Sequence, residues 1–237
     1  MPLEKDSIAS LLIINPNSSG SITEGLVRVL TPLTPPGAAL TFYTAPNCAP
    51  PAIENLTTGV QSAHVCYEDI LNQDLLNHHD GFLVCCFSDH PLTYMLRERT
   101  SKPVIGILES AIVQAMLIGK RFGIVTTGTG YKYEHYTEVR NFLGANSERF
   151  AGLVAVGLGV VELREGDKTH VEKKMKEGAM KIAEKGADVV LLGCAGMAGM
   201  EGLVKDGFVE AGYGVPKVVD GAKSGIVLLA GLVRIPA

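Results

Sequence analysis

Short apolar runs punctuate the chain at 11–14, 38–44, 80–86, 103–107, 121–125, 153–156, 186–194 and 216–220. Most are unbroken instead of alternating with polar residues, the pattern of strands covered on both faces and hence of a parallel sheet. Between them the apolar residues move to helical spacing, as at Ile22, Leu26, Val29 and Leu30. The same spacing predicts helices over 57–77, 92–99, 110–118, 131–142, 168–184 and 224–232. Strand and helix alternate throughout, which is the order of an α/β fold.

Two of the runs share more than hydropathy. Both 80–86 and 186–194 carry an Asp near the start and end on a cysteine, Cys86 and Cys194, before breaking into small or polar residues. The other landmarks repeat at nearly the same distance: Asn15 to Thr126 is 111 residues, Thr41 to Gly152 is 111, Cys86 to Cys194 is 108 and Pro103 to Pro216 is 113. A constant offset in constant order means an internal duplication. The expected architecture is two pseudo-symmetric α/β domains, 1–107 with 220–237 and 108–219, each a mostly parallel four-stranded sheet flanked by helices. If a pseudo-twofold axis relates them, the carboxyl ends of both sheets face one cleft, where open α/β sheets bind ligands. Two cysteines would then reach a ligand from opposite sides.

Composition narrows the function. At 237 residues, with 46% hydrophobic and 19% charged residues, the chain has the make-up of a turn-rich α/β protein. A net charge of −4 without a long block of one sign argues against nucleic acid as a partner. No apolar run reaches the ~18 residues that span a bilayer, and Glu4 and Asp6 replace the basic flank of a signal peptide, so no membrane partner and a cytoplasmic location are expected. The five cysteines form no CxxC pair and no zinc-type cluster, which argues against disulfides and against a metal. Gly128-Thr129-Gly130 lacks the third glycine of a dinucleotide fingerprint, and no cofactor is expected.

The remaining candidates carry proton chemistry. A carbon acid beside a carbonyl inverts when a base takes its proton from one face and an acid returns one to the other; a thiolate and a thiol supply that pair. Free cysteine titrates at about 8.5, and a helix N-terminus would lower that value. Backbone N–H groups after Cys86 and Cys194, together with Asn15, Ser18, Thr126 and Thr127, are candidate donors to the developing oxyanion. The polar stretch 15–21 also reads as a plain capped helix start, with Ser or Thr as the cap. Cys85, Cys48 and Cys66 read as structural. His90 fits a turn or pocket wall better than a Cys–His nucleophile pair, because that pair would leave Cys194 unexplained. His78 and His79 read as solvated. Glu109 and Asp220, at repeated strand ends, either line the cleft or cap helices, and Ile53-Glu54-Asn55 in the proline-rich loop 45–55 is placed to close a pocket.

The stretches Asn15-Pro16-Asn17-Ser18-Ser19, Cys86-Phe87-Ser88-Asp89 and Leu192-Gly193-Cys194-Ala195-Gly196-Met197 together resemble the signatures of the hydantoin/allantoin racemase branch of the aspartate/glutamate racemase superfamily. That resemblance implies a cofactor-independent racemase with its site between two α/β domains, paired catalytic cysteines at Cys86 and Cys194, and no metal. Asn15, Ser18, Phe87, Ser88, Thr126, Thr127, Ala195 and Gly196 would bind a small-molecule substrate, a 5-substituted hydantoin or allantoin, in a homo-oligomer. Alternatives in the superfamily are an Asp/Glu racemase, a decarboxylase that needs only the second cysteine, or a cis–trans isomerase; outside catalysis, a small-ligand-binding protein. Bacterial members read Cys-Phe-Gly-Asp-Pro-Gly where this chain has Cys86-Phe87-Ser88-Asp89-His90-Pro91, a variant resembling fungal relatives that alters the wall of the cleft.

Overall fold

A computed structural model describes residues 7–129 and 133–235. Glu4, Asp6, Gly130 and Tyr131 lie outside the described residues. The chain divides into two compact units, Met1–Ser110 with Ala222–Ala237, and Ala111–Gly221. In order, the elements are β1 (Ala9–Asn15), α1 (Gly20–Leu30), β2 (Ala38–Thr44), α2 (Leu56–Asn72), α3 (Leu75–His78), β3 (Gly81–Val84), α4 (Pro91–Arg97), β4 (Val104–Gly106) and α5 (Ile107–Ile118). They continue with β5 (Phe122–Thr126), α6 (Tyr133–Leu143), β6 (Phe150–Ala155), α7 (Glu162–Glu165), α8 (Lys168–Glu184), β7 (Val189–Gly193), α9 (Glu201–Glu210), β8 (Lys217–Asp220) and α10 (Gly221–Leu232). Among the described residues no helix is long and apolar enough to cross a membrane.

In the first unit all strands run parallel in the order β2-β1-β3-β4. Leu11 to Ile14 are fully buried because helices cover both faces of the sheet. Leu12, Ile14, Phe82 and Val84 face Ala63, Cys66 and Ile70 of α2 and Leu92 and Leu96 of α4. Leu83, one residue out of phase, points the other way, against α10. There the contact is so close that a Cβ on Gly225 would lie 2.6 Å from a Leu83 methyl, so any larger residue would force the Leu83 side chain to shift. Each such fully buried aliphatic side chain contributes about 1.5–3 kcal/mol relative to exposure.

The second unit repeats this plan, with parallel strands in the order β6-β5-β7-β8. Val125, Val190 and Leu192 pack under Met175, Ala179 and Ile182 of α8 and Val204 and Phe208 of α9. The two central strand pairs are also tied alike at their amino ends. Asp80 donates its N–H to the Ser10 carbonyl and accepts the Ser10 N–H on its carboxylate, at 2.7 and 2.8 Å. Asp188 makes the same reciprocal pair with Arg121, at 2.9 and 2.7 Å. This explains the Asp that opens each cysteine-bearing run.

Partial burial pulls the Asp188 carboxyl upward, but N–H groups of Lys120, Arg121 and Asp188 itself outweigh it, with Lys217 adding to them, and hold the carboxyl below its ordinary range. A carboxyl depressed by folding stabilises the native state above its unfolded pKa of about 3.9, and that stabilisation is lost as pH falls through the lower folded value. Asp188→Asn should therefore cost about 1 kcal/mol near pH 7, less than the ~1.5–3 kcal/mol of a buried charge-assisted bond because the carboxylate is exposed. Denaturant titrations across pH check it: the variant and the parent should converge in acid.

Three sequence expectations change. The helix predicted over 57–77 breaks after Asn72, where Asp74 takes a left-handed φ of 55° that hydrophobic spacing does not reveal. His79 is buried, not solvated: its Nδ1 meets the Ser10 hydroxyl at 2.8 Å, and burial lowers its pKa. The helix N-terminus expected to lower a cysteine's pKa does not follow Cys194 directly: a single 3-10 turn, Ala195–Met197, comes first, and α9 starts only at Glu201.

Candidate active site

The strand orders locate the candidate residues. In each sheet the chain steps outward from the first strand (β1 or β5) to one side, then crosses to its other side, so β1/β3 and β5/β7 are topological switch points. Ligand crevices in open α/β sheets form beyond the carboxyl ends of strands at such points. Asn15 ends β1 and Cys86 lies just past β3; in the second unit Thr126 ends β5 and Cys194 follows β7.

In the first unit the loop after β1 is tightly stapled. Asn15 is fully buried, its amide donates to the Ser19 carbonyl and to Thr23 Oγ1, both at 3.0 Å, and its Oδ1 accepts the Asn17 N–H at 3.2 Å. Asn17 Oδ1 in turn accepts the Ser19 N–H at 3.0 Å. Ser18 anchors the loop to segment 45–55, donating its hydroxyl to the Ala49 carbonyl at 2.9 Å and its N–H to Pro50 at 3.1 Å. Ser19 occupies the cap position of α1 but its side chain makes no capping bond, meeting Ser21 Oγ instead. Asn17, not singled out by sequence, is 6% exposed. Its Nδ2 has no hydrogen-bond partner among the described residues, and the Asn-Pro-Asn spacing was the signal that could have marked it.

Beyond β3, Cys85 is buried and its N–H stays in the sheet on the Ile14 carbonyl, whereas Cys86 is half-buried. Ser88 donates its hydroxyl to Cys86 Sγ at 3.1 Å, and Phe87 is buried. Cys66 is buried, with its thiol pushed up to about 12 by desolvation, and exposed Cys48 lies in segment 45–55. Asn55 caps α2 in a reciprocal box with Thr58. Glu109 is committed to structure, accepting the Gly106 N–H at 2.8 Å and Arg97 at 3.0 Å.

In the second unit Thr126 is fully buried and donates its hydroxyl to the Gly193 carbonyl at 2.8 Å, fixing the residue before Cys194. Gly196 N–H approaches Cys194 Sγ at 3.3 Å from the turn that also holds buried Ala195. Asp220, at the end of β8, is buried. Arg164 donates to the Ala198 carbonyl at 2.7 Å and sits close enough for its charge to favour the Cys194 thiolate. Burial nevertheless raises the thiol, outweighing Gly196, Arg164, the Thr127 hydroxyl and the Met197 N–H, all of which lower it. The expected lowering is present in the N–H groups of the 3-10 turn, Gly196 and Met197, but burial outweighs it. Thr127→Val should raise the Cys194 pKa further, seen as an upward shift in the pH profile of its alkylation.

Among the described residues no three His, Cys, Asp or Glu side chains are grouped to hold a metal ion.

The sequence profile of the Asp/Glu/Hydantoin racemase family matches residues 11–229. An uncharacterized protein of Schizosaccharomyces pombe, C1F7.10, is 38% identical over 94% of this chain and 92% of its own. A hydantoin racemase of Rhizobium meliloti is 30% identical over 93% of this chain and 87% of its own. Among solved structures, the allantoin racemase from Klebsiella pneumoniae superposes with a TM-score of 0.81 at 25% identity, covering 97% of this chain and 94% of that one.

Proposed function

The chain belongs to the Asp/Glu/hydantoin racemase family and is an isomerase, and from that premise we propose that it racemises a 5-substituted hydantoin or allantoin without a cofactor, using Cys86 and Cys194 as paired acid and base. The observation that carries this reading is the equivalence of the two thiols: each follows the central strand of its own sheet, at that sheet's switch point, with a hydroxyl beside the sulfur. A hydrolase or a decarboxylase working through one cysteine gives no role to the other.

One thiolate removes the proton at C5, electrons move onto the neighbouring carbonyl oxygen, and the other thiol returns a proton to the opposite face. Cys194, its pKa raised by burial, rests as the thiol and is ready to donate. As it gives up its proton, Gly196 N–H, Thr127 and Arg164 stabilise the sulfur anion left behind. Asn17 Nδ2 supplies a hydrogen bond to a ring carbonyl, and Asn15 and Ser18 hold that loop in shape.

Purified protein incubated separately with single enantiomers of hydantoins, allantoin, aspartate and glutamate, and followed by optical rotation, tests the assignment. Hydantoin or allantoin should lose rotation to zero, with the rate unchanged by EDTA and by carbonyl reagents. Turnover of aspartate or glutamate alone, or a divalent-ion requirement, would overturn it.

A further inference from the structure

The two site loops of the first unit are joined by a buried chain of hydrogen bonds that the reaction itself does not use. His90 is 2% exposed and Ser62 on α2 is fully buried. The Leu92 N–H donates to His90 Nδ1 at 3.3 Å, so Nδ1 carries a lone pair and the ring hydrogen is on Nε2. That nitrogen lies 3.4 Å from Ser62 Oγ. The single Ser62 hydroxyl proton is given to the Pro16 carbonyl, so its oxygen must accept from His90. Cys66 adds a weak S–H contact to the same carbonyl at 3.5 Å. Every donor then points one way, from the loop that carries Cys86 to the loop between Asn15 and Ser18.

We infer that His90 is a positioning residue for the Cys86 side of the site, locking the 86–90 loop to the Asn15–Ser19 loop through Ser62 and the Pro16 carbonyl. Both ring nitrogens are engaged, which leaves neither to act as a base on Cys86. Burial lowers the His90 pKa to about 4, so the ring stays neutral and this directional chain persists at neutral pH. Pro91 at the first position of α4 has no N–H, so Leu92 is the first amide of that helix to need a cap, and a histidine there caps it with one nitrogen while reaching Ser62 with the other. Asparagine would cap as well but is too short to reach Ser62; glutamine keeps a donor near the Nε2 position and loses the cap.

The catalytic consequence rests on the two-thiol reading, but the lock itself is tested without substrate. Alkylation of Cys86 and Cys194 by iodoacetamide is followed separately by peptide mass spectrometry in the full chain and in His90→Asn, His90→Gln, Ser62→Ala and the His90→Asn/Ser62→Ala double variant. His90→Asn and Ser62→Ala should each change the Cys86 rate about fivefold or more and leave Cys194 unchanged. The double variant should be no worse than either single one, and His90→Gln should recover most of the Cys86 rate. A His90→Asn protein indistinguishable from the parent would reduce His90 to a helix cap. Equal changes at both cysteines would mean general loosening; either result overturns the inference. With hydantoin as substrate, the same variants should lose about tenfold in kcat with little change in KM. If no variant or parent turns over any substrate, the functional reading fails while the alkylation rates still decide the lock.

Discussion

Cys86→Ser and Cys194→Ser should each abolish inversion, lowering kcat/KM by about three orders of magnitude or more, within the usual range for removing an acid–base group. A serine hydroxyl is far too weak an acid to ionise and serve as the base near neutral pH, yet each variant keeps one thiol. That thiol still takes the proton from the enantiomer whose hydrogen faces it and returns a deuteron to the same face in D₂O. One variant should therefore exchange mainly the D enantiomer and the other mainly the L, both without inversion. Retention of full activity by either variant would point to single-cysteine chemistry.

Gly193→Ala should be the most damaging of the conservative changes near the site. An added Cβ would lie 2.8 Å from an Ile124 methyl, from the Thr126 Cβ and from the Val125 carbonyl oxygen. The last of these is backbone and the strand pairs around it are in register, so neither side yields cheaply. Overpacking of this kind costs about 1–3 kcal/mol. The distortion also reaches the Thr126 bond to the Gly193 carbonyl, which holds the residue before Cys194. Thermal unfolding should show a lowered Tm, and activity should fall by more than the unfolded fraction accounts for. Normal kcat in a fully folded variant would show that this backbone contact does not govern the position of Cys194.

The features that could be read before any coordinates were those with a local or repeated cause. Strands covered on both faces leave unbroken apolar runs, and duplication leaves constant offsets, so the eight strands and the two terminal cysteines were visible in the amino-acid order. The pairing order β2-β1-β3-β4 was not, because nothing local to β1 says which neighbour lies on which side. Histidines were ambiguous for a related reason: His79 and His90 carry the same side chain as exposed His78, and only tertiary packing buries them. The left-handed turn at Asp74 was hidden because Asp is a common residue whose φ depends on context. The Asn15 amide looked available for a ligand in the sequence, but the folded loop spends it on Ser19 and Thr23. The raised pKa of Cys194 depends on burial of a turn, which a motif does not encode.

The central claim, that two separate thiols serve two faces of one carbon, is tested most directly by the isotope content of substrate and product early in a wild-type reaction in D₂O. A single hydantoin enantiomer is supplied, and both enantiomers are separated and weighed by mass spectrometry below about one tenth conversion. Two bases predict a product pool carrying one deuterium per molecule beside an unreacted pool that is still protiated, because the proton leaves to one sulfur and the deuteron arrives from the other. Protium carried from substrate into product, or deuterium entering the unreacted enantiomer as fast as product forms, would contradict it.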